Sequence, residues 1–185
     1  MTDQQLIARA AGGDLTAFEL LYERHGSAVY RYAWLLSRSV PDAEDITQES
    51  FLALIRKPTS FDPARAQLRT WLIAVARRQY LWRCRSAARD FAIDDQDQAN
   101  PAGFDEELLR MERAEAVRQA MGRLPQLQRE TLYLFEFEEL SMAEIAGILN
   151  IEVNAVKARL HRARENLKRL LGHLKSAKSE TKESV

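Results

Sequence analysis

Apolar residues recur at helical spacing through nearly the whole chain, and no useful length alternates apolar with polar residues. Leu20, Leu21, Ala28, Val29, Tyr32, Leu35 and Leu36 trace one such stripe; Leu68, Leu72, Val75, Ala76 and Gln79 trace another. A period near 3.6 cannot present one face of a strand, so the expected class is all-α. The 7 Gly and 5 Pro are too few for a fold built on many tight turns. With 46% hydrophobic and 29% charged residues, the 185-residue chain has the composition of a globular protein rather than a disordered one.

The pattern breaks in a few places, and these set the expected organisation. Pro41 stops the first long run, and Asp42 is an acceptable N-cap for the next helix, whose apolar stripe reads Ile46, Phe51, Leu52 and Ile55. Residues 58–67 read as a loop, followed by a helix over about 68–89. Residues 90–104 mix acids, Gln, Asn, Pro and Gly without apolar period, which marks a linker. The expected division is a first domain at 1–89, an acidic linker at 90–104, a second helical domain at 105–172, and a polar tail at 173–185 expected to be disordered.

Charge is segregated along this plan. Lys+Arg and Asp+Glu are 27 each, for zero net charge. Yet residues 65–89 hold seven arginines and no acid, residues 90–115 are strongly acidic, and residues 152–175 are strongly basic. Residues 42–49 hold Asp42, Glu44, Asp45 and Glu49 with no base. Two basic blocks around an acidic one suggest two surfaces that each face a polyanion; the plainer reading is solvated helix faces. The acidic linker would compete for the basic faces, so the free protein should bind DNA weakly.

Residues 140–168 are the most informative stretch. Ser141 with Glu144 forms a capping-box pattern, Ile145, Ile148 and Leu149 make an apolar face, and Ala146 and Gly147 are small enough for a close crossing. Asn150 falls where the chain must turn and tolerates a left-handed conformation. In the next helix Val156, Leu160, Ala163 and Leu167 point inward, while Asn154, Lys157, Ala158, His161 and Arg162 share the other face, flanked by Arg159 and Arg164. Such a helix-turn-helix suits a major groove: Arg and Lys read guanine or hold phosphates, and Asn bonds adenine. A helical hairpin with a solvated basic face is the competing reading.

In the helix at 68–89, Trp71, Arg78, Trp82 and Arg85 form a stripe beside the apolar one. Arginines that hold phosphates and tryptophans that stack on unpaired bases would suit melted DNA; alternatively both tryptophans complete the core. Catalytic patterns are lacking: no phosphate-binding glycine loop, no HExxH, no GxSxG. Cys84 stands alone, and His25, His161 and His173 are scattered, so neither enzyme activity, metal nor cofactor is expected. The N-terminus lacks a signal-like pattern and no run is apolar enough to span a bilayer, which makes the cytoplasm the expected compartment and direct membrane insertion unexpected.

Two stretches together resemble a known family. Asp42-Ala-Glu-Asp-Ile-Thr-Gln-Glu-Ser-Phe-Leu, then Phe61-Asp-Pro and Leu68-Arg-Thr-Trp-Leu-Ile-Ala-Val-Ala-Arg-Arg, is similar to the promoter-melting domain of bacterial RNA polymerase sigma factors of the extracytoplasmic-function (ECF) group, in the sigma-70 family. Leu124-Pro, Leu140-Ser-Met-Ala-Glu-Ile-Ala and Val156-Lys-Ala-Arg-Leu-His-Arg-Ala-Arg is similar to that group's C-terminal domain. The resemblance spans about residues 15–172 and implies a transcription initiation factor whose partners are core RNA polymerase, promoter DNA both duplex and melted, and an anti-sigma protein. It implies polymerase docking by Asp45, Gln48, Glu49 and Phe51. It implies capture of the melted −10 element by Arg69, Trp71, Arg77, Arg78, Trp82 and Arg83. It implies reading of the −35 element by Asn154, Lys157, Arg159, His161 and Arg162. One departure stands out: family members often have Arg-Asn where this chain has Arg77–Arg78, and arginine only donates, so Arg78 suits a phosphate. The large central domain of housekeeping sigma factors has no counterpart here. A stand-alone helix-turn-helix regulator, or a helical adaptor without a DNA role, are the rival readings.

Overall fold

The computed structural model describes the backbone of residues 1–90 and 116–182, and side chains for 1–86 and 116–172. All regular structure among these residues is helical. The chain divides into two compact units, Met1–Ala99 and Asn100–Val185, with the division inside the expected linker. The acidic linker itself, and the expected start of the second domain at 105, lie outside the described residues.

The first unit has four helices: α1 (Asp3–Ala11), α2 (Leu15–Ser37), α3 (Val40–Arg56) and α4 (Leu68–Asp90), with a 3-10 turn at Pro58–Ser60. α1 carries a capping box of Thr2 with Gln5, and buries Leu6, Ile7 and Ala10. α2 is the central element, packed against α1, α3 and α4. Of its expected stripe Leu21, Ala28, Val29, Tyr32, Leu35 and Leu36 are buried, but Leu20 is exposed.

The entry to α3 differs from expectation. Ser39, not Asp42, is the N-cap: its hydroxyl accepts from Asp42 N–H at 3.4 Å. Pro41 sits inside the first turn, where its missing N–H has no partner to lose. α3 therefore starts three residues early, leaving Asp42 in its first turn, where an acid is favoured by the positive end of the helix dipole. Its inward stripe is Ala43, Ile46, Thr47, Ser50, Phe51 and Leu54. Leu52 and Ile55 are only half-buried, because Leu54 takes the inward position after Phe51. On α4 the expected residues Leu68, Leu72, Val75 and Ala76 are buried, together with Ile73.

The second unit shows the end of one helix, α5 (from 116 to 122), followed by α6 (Gln126–Glu136), α7 (Met142–Leu149) and α8 (Val153–Lys182). Leu124, Leu132, Leu134, Ile145, Ile148, Leu149, Val156, Leu160 and Ala163 make its core. The expected disordered tail is corrected as far as Lys182: α8 runs on through Gly172. The residues beyond it are mostly Leu, Lys, Ala and Glu, which lose little side-chain freedom in a helix, so one glycine does not end it.

Candidate nucleic-acid interface

In the second unit local chemistry fixes the helix-turn-helix. Ser141 Oγ accepts from Glu144 N–H at 3.3 Å, and Ser141 N–H donates to Glu144 Oε2 at 2.9 Å, closing the capping box that starts α7. Asn150 ends the helix at φ 54°, ψ 52°, its N–H donating to the Ala146 carbonyl. Ile151 N–H donates to the same carbonyl at 3.1 Å, so the turn is short and tied.

α8 then presents two faces. Val156, Leu160 and Ala163 are buried, while Asn154, Lys157, Ala158, His161 and Arg162 are all exposed on the opposite side. Arg159 is half-buried at the edge of that face. Arg162 Nε donates to the Ala158 carbonyl at 3.2 Å, which folds its side chain back along the helix. Arg164 has a different role: it pairs with Glu136 at 2.8 Å and lies 5.1 Å over the Phe135 ring. Asn166 Nδ2 donates to Gln128 Oε1 at 2.8 Å, a second tie between α8 and α6. These two contacts hold the angle at which α8 projects from the unit. Gly147 is not a close-crossing residue as expected: it is exposed, and a Cβ there would meet nothing within 4 Å.

In the first unit the aromatic–arginine stripe of α4 splits in two. Trp71 is half-buried with its ring 6.0 Å from Phe61 in edge-to-face contact, so it braces the loop before α4. Trp82 is 63% exposed, free to stack on a base. Arg78 and Arg85 are exposed, Arg69 and Arg77 half-buried. Arg83 faces α3 instead of open solvent: its Nη1 donates to Asp45 Oδ2 at 3.3 Å and lies 3.5 Å from Asp42 Oδ1.

The acidic ridge on α3 exposes Asp45 and Gln48, with Glu49 half-buried and paired to Arg56 at 3.3 Å. Phe51 does not belong to it. The ring is fully buried, 5.0 Å from Tyr22 and 6.2 Å from Phe18, and cannot touch a docked protein. Its match to the family pattern is thus a match of core packing: four residues after Thr47 and three before Leu54, both buried, it falls on the inward side of α3. The Arg83–acid pairing, joining residues 38 and 41 positions apart, had no signal in the sequence beyond opposite charge.

A capped, tightly turned pair of helices with an exposed basic and amide-bearing face defines a helix-turn-helix DNA-binding protein, here joined to a second helical unit with a basic helix of its own. Residues 21–90 match the family model of Sigma-70 region 2, and residues 114–167 that of Sigma-70, region 4. The chain is 34% identical over 173 residues to the ECF RNA polymerase sigma factor SigM of Mycobacterium tuberculosis, covering 94% of this chain and 86% of that protein. It is 30% identical to the ECF RNA polymerase sigma factor SigW of Bacillus subtilis, covering 94% of this chain and 99% of that protein. The solved structure of CnrH in complex with the cytosolic domain of CnrY is 29% identical, with TM-score 0.62, over 92% of this chain and 97% of that one. The chain belongs to the ECF group of RNA polymerase sigma factors. It is a promoter-specific transcription initiation factor that binds core RNA polymerase and promoter DNA, and is not an enzyme; the regulator and adaptor readings fall away. Among the described residues no helix is long and apolar enough to cross a membrane.

Proposed function

We propose that three surfaces divide the work of initiation in this chain. Asn154, Lys157, Arg159, His161 and Arg162 on α8 read the upstream −35 duplex. Trp82 stacks on an unpaired base of the −10 element, with Arg69, Arg77, Arg78 and Arg83 on its phosphates and Trp71 bracing the loop that leads into α4. Asp45, Gln48 and Glu49 on α3 dock on core polymerase. The observation that carries the reading is α8 itself: Val156, Leu160 and Ala163 fix one side in the core, and the opposite side is exposed, basic and short where Ala158 stands. Buried at its base and clear at its tip, such a helix can enter a groove without unfolding.

Transcription reconstituted from this chain and purified core enzyme on a genomic library, with start sites mapped, tests the proposal. Initiation should cluster at sites sharing an upstream element, and Lys157→Ala with Arg162→Ala should abolish that preference while core binding persists. A holoenzyme that forms and initiates nowhere would refute it. Operation in the cytoplasm belongs to the same reading. So does a regulatory anti-sigma partner, by analogy with CnrH held by the cytosolic domain of CnrY.

A further inference from the structure

The first unit places an acidic helix and a basic helix in direct ionic contact, where Arg83 of α4 meets Asp42 and Asp45 of α3 at 3.5 and 3.3 Å. Asp42 and Asp45 are 52% and 62% exposed at their side chains, and Arg83 is 31% exposed, so all three are within reach of an incoming partner. A guanidinium between two carboxylates is neutralised as a phosphate ligand, and the carboxylates repel any strand that approaches it. We propose that Asp42 and Asp45 form an ion-pair latch on Arg83 that lowers the free chain's affinity for single-stranded DNA. Core polymerase opens the latch by taking over the acids with its own basic groups. The opening step rests on the proposed docking role of α3; the latch itself does not.

The coupling is small by nature. Exposed ion pairs couple by a factor of about 1.5 to 5, which is enough to bias a weak encounter and too little to block a holoenzyme. By thermodynamic reciprocity, DNA that captures Arg83 also frees Asp42 and Asp45 for polymerase, so each partner raises the affinity of the other by the same factor.

The test is fluorescence anisotropy of a labelled single-stranded 20-mer titrated with the full chain at low salt. Asp45→Asn, and Asp42→Asn with Asp45→Asn, should tighten binding about two- to fivefold. Glu19→Gln alone, and with Glu23→Gln, which match the single and double changes in net charge on exposed positions of α2, should give smaller gains. In an Arg83→Gln background the α3 substitutions should fall back to those smaller gains. Equal gains with and without Arg83 would overturn the latch, as would no gain at all. Asp45→Asn alone guards against misfolding, because Asp42 also serves the first turn of α3. The same titration is repeated with saturating core enzyme. Loss of the gain there supports opening by polymerase. A gain that persists in full shows that the acids are not taken over, and refutes the docking role and the opening step while the latch stands.

Discussion

Replacing Phe51 separates a core role from a polymerase-binding role, since the family pattern offers the second and the structure the first. The ring is fully buried and contacts Phe18 and Tyr22 at centroid distances of 6.2 and 5.0 Å. Phe-to-Ala substitutions at such sites cost about 3–5 kcal/mol. Domains of this size have only about 5–15 kcal/mol in total, so Phe51→Ala should leave the first unit barely folded. Phe51→Leu is the better probe. It nearly conserves volume, which costs under about 1.5 kcal/mol, and forfeits the two ring contacts, each about 0.5–1.5 kcal/mol. A loss of roughly 1–4 kcal/mol is expected, read as a lowered urea midpoint by circular dichroism at unchanged slope. Affinity for core polymerase, measured by competition and corrected for the folded fraction, should stay within about twofold, a difference of roughly 0.4 kcal/mol. If Phe51→Leu keeps wild-type stability yet binds core enzyme tenfold more weakly, the ring reaches the polymerase and the burial argument is wrong.

Other outcomes follow from the same geometry. Trp82→Ala should weaken single-stranded DNA binding by about 1–3 kcal/mol with stability unchanged, whereas Trp71→Ala should lower the thermal midpoint by loosening the contact with Phe61. Lys157→Ala should reduce the salt dependence of promoter binding by about one unit of slope; Arg164→Ala, which loses Glu136 and Phe135 instead, should act mainly on stability of the second unit. Gly147→Ala should stabilise that unit by up to about 1 kcal/mol in thermal melts, because the helix gains propensity and the methyl group enters open space. Asp14 caps α2, and the Ala17 backbone N–H followed by the Arg9 side chain hold its carboxyl below the usual carboxylate range. The lowered value means that its contribution is complete above the ordinary carboxylate range and is lost as pH falls through the depressed value. Asp14→Asn should flatten that acid limb of the stability profile while retaining a cap.

Local patterns carried most of the architecture. Helix periodicity, the Ser141–Glu144 capping box and the αL turn at Asn150 involve residues within four positions of each other, so the chain states them directly and the helix-turn-helix emerges where expected. The exposed face of α8 was legible for the same reason: Val156, Leu160 and Ala163 must turn inward, which leaves Asn154, Lys157, His161 and Arg162 outside. The start of α3 was misread because Pro41 can begin a helix as well as stop one, and only the Ser39 hydroxyl bonded to Asp42 N–H decides between them.

What tertiary packing alone decided is which residues of a given type face a partner. Trp71 and Trp82 lie on one sequence stripe, yet Phe61 lies against only the first. Phe51 sits within an acidic motif, yet α2 covers it with Phe18 and Tyr22. Arg83 and the acids of α3 are separated by about forty residues and meet because α3 and α4 pack on each other as well as on α2. Periodicity records the direction in which a side chain leaves its own helix; burial and ion pairing depend on what another helix places there, and that is set by long-range contacts no local pattern contains.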